Sequence, residues 1–170
     1  MTRYRDPAIR WDVDIGDKLP VDIPIIRADK SGKPIYFYCL SDQLLTVLTH
    51  WHDRRTVPCV GADAGCICGA LQVSHIRLAY VAAWDDAAQR LCIVEVTANA
   101  IRESKSSFDL TFESLRGKYM KIFRRGNKWN SPILVDLACY QAPSCELPPA
   151  FDLREVLSRL WNAPSKHRRE

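Results

Sequence analysis

The sequence predicts a mainly β fold: an OB-like five-stranded barrel with a cysteine-rich zinc-loop insertion and a C-terminal helix. Three observations predict it. Strand-length runs of β-branched and aromatic residues recur along the chain. A segment without strand alternation precedes the last two of these runs, and three cysteines crowd into ten residues after the second. Residues 1–34 come first, mixing charge and small apolar groups with Pro7, Pro20, Pro24 and Pro34, and read as an extended arm with no periodic element. Lys33 to Trp51 then reads as a strand pair with Ser41-Asp42 as its turn, and residues 53–74 as the cysteine-rich loop. Ile76 to Trp84 and Leu91 to Thr97 flank the polar turn Asp85 to Arg90 and read as a hairpin.

Ala98 to Leu115 offers Ile101, Phe108, Leu110, Phe112 and Leu115 without alternation, so a helix covers at least part of it. Gly117 to Arg125 and Pro132 to Tyr140 supply the final strands, and Phe151 to Trp161 places its apolar residues at helical spacing. Antiparallel strands with a helix before the last pair suggest a small barrel, of which the OB-fold is the partly open five-stranded form. The organisation expected is an arm at 1–34, a barrel at 35–145 with its insertion at 53–74, and a helix with a basic tail at 146–170.

Composition excludes several classes. The 170 residues are 47% hydrophobic with a net charge of +4, which is incompatible with a wholly disordered chain. The longest stretch without a formal charge, Ala64 to Ile76, is 13 residues, short of the ~20 that a membrane-spanning helix needs. Met1 to Asp22 scatters charges where the apolar core of a signal peptide would sit, so a cytoplasmic protein is expected. Seven cysteines, an odd number, then fit a disulfide framework poorly. Cys39, Cys92 and Cys139 lie in strand-like runs and are expected to be small buried hydrophobes, while Cys145 sits in a proline-bounded loop.

Cys59, Cys66 and Cys68 are different, because His50 and His52 precede them and His75 follows. A structural zinc site wants four soft or borderline ligands held tetrahedrally, and thiolates with an imidazole are such a set. His50 and His52 share one face of a strand, and His52 is nearer the loop, which makes it the preferred fourth ligand. His50 and His75 are the alternatives. A loop of reduced thiols without metal, or one nucleophilic thiol with a histidine base, are the competing readings.

From Ser114 to Asn130 the chain carries six basic residues and no acid, so the rest of the molecule sums to −2. In a strand, Met120 and Ile122 face one way, toward the barrel interior. Tyr119, Lys121, Phe123 and Arg125 face the other. Rings alternating with cations suit single-stranded nucleic acid, because rings stack on unpaired bases and cations neutralise phosphates. Lys118, Arg124, Lys128 and Trp129 extend this set, and Trp51 with Arg54 and Arg55 repeats it at the mouth of the cysteine loop.

One His followed by three Cys, inserted after an early strand of an OB-like barrel, resembles the zinc-containing single-stranded DNA-binding proteins of large tailed phages. The resemblance covers about residues 35 to 140 and implies an OB-fold, a structural zinc with His52, Cys59, Cys66 and Cys68 as ligands, and sequence-independent binding of single strands. It also implies work in replication, recombination or repair, alongside the proteins of those processes, in a bacterial or phage-infected cell. That family ends in an acidic tail, whereas Lys166-His167-Arg168-Arg169 is positive and is expected to add phosphate contacts. The function expected is non-enzymatic binding of single-stranded nucleic acid, DNA favoured over RNA. The rivals are a zinc-stabilised protein-interaction module and an enzyme acting on nucleic acid, for which Asp85-Asp86 is the adjacent carboxylate pair in the barrel.

Overall fold

The computed structural model describes residues 23–52, 55–61, 66, 68, 72–97, 99–100, 114–126, 128, 131–138 and 141–162. Its strands are β1 (Ile25–Ile26), β2 (Ile35–Cys39), β3 (Leu45–His52), β4 (Arg55–Pro58), β5 (His75–Asp85), β6 (Arg90–Thr97), β7 (Tyr119–Arg124) and β8 (Ile133–Leu137), followed by helix α1 (Leu153–Asn162). They form one mixed, open sheet in the order β1-β6-β5-β2-β7-β8, with β3 and β4 branching from β5. Only β1 on β6 is a parallel pairing among these strands. No helix among the described residues is long and apolar enough to cross a membrane.

β5 is the spine. It pairs with β6 along most of its length, from Leu78↔Thr97 to Asp85↔Arg90. Its other edge is divided: Leu45 to His50 of β3 pair with Tyr80 to His75, while Tyr38 and Cys39 of β2 pair with Trp84 and Ala83. Between the two, the Leu40 and Ser41 amides both donate to the Ala82 carbonyl, and the Ser41 hydroxyl accepts from the Ala82 amide at 2.9 Å. β2 and β3 are thus two parts of one line along β5, broken at residues 40–44. The expected strand pair is not a hairpin, because both of its members pair with β5 and neither pairs with the other.

Side-chain alternation gives β5 and β6 two buried faces, as an apolar strand covered on both sides requires. Val81, Ala83, Cys92, Val94 and Val96 pack with Phe37, Cys39, Met120, Ile122 and Val135 on the inner side of the curl. Leu78, Tyr80, Ala82 and Ile93 point the other way and bury Leu153, Val156, Leu157 and Trp161 of α1. Arg27 donates to both carboxylate oxygens of Glu95, at 2.7 and 3.0 Å, and the Tyr80 hydroxyl donates to Glu95 at 3.2 Å, which ties the segment after β1 to the spine. The Asp152 side chain accepts from the Arg154 and Glu155 amides at 2.9 and 3.1 Å, capping α1. Asp152→Ala is expected to cost about 1 kcal/mol in a denaturant melt, the usual loss of an N-cap.

The sequence marks six strand runs, one more than a five-stranded barrel, and the structure adds two. The arm contributes β1, which pairs with Ile93 and Val94, and the cysteine-rich segment opens with β4. The barrel is not closed, since no ladder joins β8 to β6 among the described residues. The hairpin, the last two strands and the C-terminal helix fall where the sequence places them. Of the helix expected in Ala98 to Leu115, Asn99 and Ala100 are helical and the Ala100 amide donates to the Thr97 hydroxyl; residues 101–113 lie outside the described residues.

Candidate metal centre

The site is built on the free end of the sheet, where β3 runs between β4 and β5. His50 stands opposite Val57 on one side and His75 on the other. Directly opposed residues share a face. The Cys59 amide donates to the Leu48 carbonyl at 2.8 Å, which extends the β3–β4 ladder by one residue and places Cys59 opposite Leu48. His50, Cys59 and His75 therefore belong to the same face. Gly61 then turns the chain with φ +90, a conformation that L side chains rarely adopt, and its carbonyl accepts from the Cys66 amide at 3.2 Å. That turn brings Cys66 and Cys68 back over the face.

The donor atoms of His50, Cys59, Cys66 and Cys68 all lie within 4.8 Å of one another. The Cys59 sulfur is 3.9 Å from that of Cys66 and 3.6 Å from that of Cys68, and His50 Nε2 is 3.9 Å from the Cys66 sulfur. A tetrahedral centre with metal–sulfur bonds of about 2.3 Å has sulfur–sulfur edges of about 3.8 Å. The cluster thus has the dimensions of a four-coordinate metal site, and it could hold a metal ion.

The donors' chemistry fits as well. Burial pushes the Cys66 thiol up, but hydrogen bonds from the Cys68 amide and thiol outweigh it and hold Cys66 below its ordinary value. The hydrogen bond with Cys66, then burial, pushes Cys68 up to about 11. Three adjacent sulfurs cannot all carry negative charge unless a cation neutralises them, and a divalent metal does so. His50 is 2% exposed, and burial, then the nearby His75 and His52, hold its imidazole below its usual value, in the neutral form that ligates metal.

His50 joins the thiols; His52 does not. His52 is exposed and pairs with Arg55 at the outer end of the hairpin. Cys59 sits opposite Leu48, so His50 is one diagonal step away, whereas His52 lies two steps, about 13 Å, further along the strand. Nearness in sequence to the loop misleads here, because the returning strand β4 carries the chain back past His50 before the first cysteine. Cys39 and Cys92 are fully buried, and desolvation pushes both thiols up to about 12, which leaves them inert. Cys145 is exposed, and Cys139 lies outside the described residues.

The residues expected to meet nucleic acid divide into groups. Tyr119, Lys121 and Phe123 are half-buried on the outer face of β7, while Met120 and Ile122 are buried on its inner face. Lys121 lies 3.4 Å from Asp136 of β8, with its ammonium 5.6 Å from the centre of the Phe123 ring. Tyr36, opposite Lys121 on β2, stacks on Tyr119 with centroids 5.8 Å apart and planes 21° apart. Nothing in the spacing around β7 pointed to Tyr36, since only the β2–β7 register brings it there. Arg124 belongs to the turn, its Nη1 donating to the Ser131 carbonyl at 2.9 Å. Lys118 is half-buried, and its carbonyl accepts from the Cys39 amide. Arg125 and Lys128 are exposed, as is Trp51, at 60%. Arg54, Trp129 and the side chain of Arg55 lie outside the described residues.

Asp85 and Asp86 have structural partners. Asp85 accepts from the Ala88 amide and lies 3.6 Å from Arg90. Asp86 accepts from Trp84 Nε1, Gln89 Nε2 and the Ser144 hydroxyl, and the Ser144 bond above all holds its carboxyl below the usual range. The stabilisation from that depressed value is present above the ordinary carboxylate range and is lost as the pH falls through the folded value. Acidification through the folded value is expected to free the Ser144 loop from the β5–β6 turn, seen as a lower amide protection factor at Ser144. Comparison with protein families, with curated proteins and with solved structures finds no match for this chain.

Proposed function

We propose that the protein binds single-stranded nucleic acid, DNA in preference to RNA, without sequence selection, and that a structural zinc ion held by His50, Cys59, Cys66 and Cys68 fixes one end of its sheet. The observation that carries this reading is the aromatic row on the outer face of β2 and β7. Tyr36, 44% exposed, and Tyr119 form a stacked pair, with Lys121 and Phe123 beside them on the same face. Such a row offers ring faces to unpaired bases and a cation to the backbone. The Lys121–Asp136 pair does not oppose it, because both side chains are partly exposed and such pairs contribute little, so a phosphate can take the place of Asp136.

The strand order supports an OB-like reading of the curled sheet. One interrupted strand, β2 with β3, lies along β5 on one side, and on the other β2 pairs with β7 and β3 with β4. Helical residues follow β6, and β6 and β8 approach each other across the inner core. On this reading the β7–β8 turn, with exposed Arg125 and Lys128, flanks the ligand. Replication, recombination or repair in the cytoplasm is the setting such an activity serves.

Titration with oligo-dT across a salt series tests the proposal. Tyr36→Ala and Tyr119→Ala are each expected to weaken binding by about 1–3 kcal/mol, the worth of one stacked base. Neutralising Lys121 and Arg125 together is expected to flatten the slope of log affinity against log salt by about 1.4, at 0.7 per phosphate contact on a single strand. No binding at low salt, or binding unchanged in these variants, overturns the reading. A zinc-stabilised protein-interaction module is the second reading, favoured by Trp51 and Ile76, 60% and 51% exposed, which share the face of the β3–β5 end opposite the thiols. It predicts a protein that holds metal and ignores oligonucleotides.

A further inference from the structure

The geometry points to His75 as the outer partner of the metal centre: we propose that its Nε2–H donates a hydrogen bond to the Cys59 thiolate and tunes how tightly the metal is held, without itself being a ligand. The inference rests on the metal reading of the His50, Cys59, Cys66 and Cys68 cluster.

His75 Nε2 lies 3.3 Å from the Cys59 sulfur, the shortest contact between a cluster sulfur and a ring nitrogen among the described residues. Yet His75 stands outside the four donors whose atoms are mutually within 4.8 Å. A structural site is closed at four ligands, and these four complete it. What remains for His75 is the sulfur itself. Three thiolates around a divalent ion leave a net charge of −1, and an N–H directed at one of them spreads that charge, as donors beyond the ligand shell do in metal sites generally.

The fold fixes the arrangement. His75 is directly opposite His50 in the β3–β5 ladder, so the two rings share a face, 6.1 Å apart and edge to face at 78°. Cys59 lies across β3 from His75 and one diagonal step from His50, and its sulfur reaches both imidazoles, 3.3 Å from His75 Nε2 and within 4.8 Å of the His50 donor nitrogen. His50 is buried on the inner side of the cluster and His75 is exposed on the outer side, so the same contact also shields the Cys59 sulfur from solvent.

Cobalt(II) titration of the full-length protein tests this, read by its visible and near-ultraviolet spectra and by competition with a chelator. The wild type is expected to take one ion and show the ligand-field bands of a tetrahedral site with sulfur-to-cobalt charge transfer. In His75→Phe the ligand-field bands stay, the charge-transfer band moves to lower energy, and affinity falls about 10–100-fold, as when a supporting donor is removed. His75→Asn, which keeps an N–H, restores much of both. Loss of the tetrahedral bands in His75→Phe makes His75 a ligand and overturns the proposal, as does a variant with unchanged spectrum and affinity. A wild-type protein that takes up no cobalt at all instead overturns the metal reading on which the proposal rests.

Discussion

Chelation is expected to release one metal ion per chain and to unravel the β3–β4 end of the sheet, while the core between β5, β6 and α1 stays folded. Among the described residues of the sheet β4 pairs only with β3, and beyond His50 on this hairpin Trp51 and His52 are exposed and Thr56, Val57 and Pro58 half-buried. Little apolar burial therefore holds that end together. A structural zinc site supplies binding free energy on the order of 10 kcal/mol, and where the site exists only in the folded state this is folding free energy. Amide exchange is the measurement: Thr49 to His52 and Thr56 to Val57 should lose protection on chelation, while Val81 and Val94 keep theirs. Cys59→Ser, Cys66→Ser and His50→Ala should reproduce the effect and abolish stoichiometric metal. His52→Ala should bind one ion as the wild type does, because that side chain lies outside the cluster. A wild-type protein free of metal, or Cys66→Ser with undiminished affinity, would refute the assignment. Thiol labelling offers a second check, in which exposed Cys145 reacts first, the cluster thiols react only after chelation, and Cys39 and Cys92 require unfolding.

The second large effect belongs to the helix. Leu157 is fully buried against the outer face of β5 and β6. Leu157→Ala is expected to cost about 2–5 kcal/mol, the transfer term plus the cavity left behind. At roughly 2–4 °C per kcal/mol for a chain of this size, the midpoint should fall by at least 4 °C. Glu155→Ala removes the carboxylate that accepts from Arg159 at 3.0 Å and leaves the apolar face intact, so it should stay within about 0.5 kcal/mol. If both variants melt alike, α1 is not a structural cover of the sheet.

What could be read from the sequence follows from where its information is local. Alternation in Tyr119 to Arg124 announced which side chains face the core, and the apolar spacing of Phe151 to Trp161 announced α1. The three thiols announced a donor cluster by crowding alone. Register is different, since it depends on partners far apart in the chain. The choice between His50 and His52 turned on a four-residue strand, β4, too short and too polar to be distinguished from loop. The stacked Tyr36–Tyr119 pair and the Lys121–Asp136 pair likewise exist only because β7 lies between β2 and β8. The division of β5's edge at residues 40–44 contains Ser41-Asp42, a local turn signal that does not say whether the chain reverses, which is why one interrupted strand read as two paired ones.

That division also orders events during synthesis. β3, β4, β5 and β6 pair with near neighbours in sequence, and all four donors lie between His50 and Cys68, so the end that carries the donor cluster can assemble while the rest of the chain is still on the ribosome. β2 can join β5 then as well, but its second ladder must wait for β7, and the outer face of β5 and β6 stays bare until α1 emerges. Distant pairings are the slow ones to form. The nascent protein can thus bring its thiols together early and has its apolar spine covered last, and the interval between the two is when it most needs protection from aggregation.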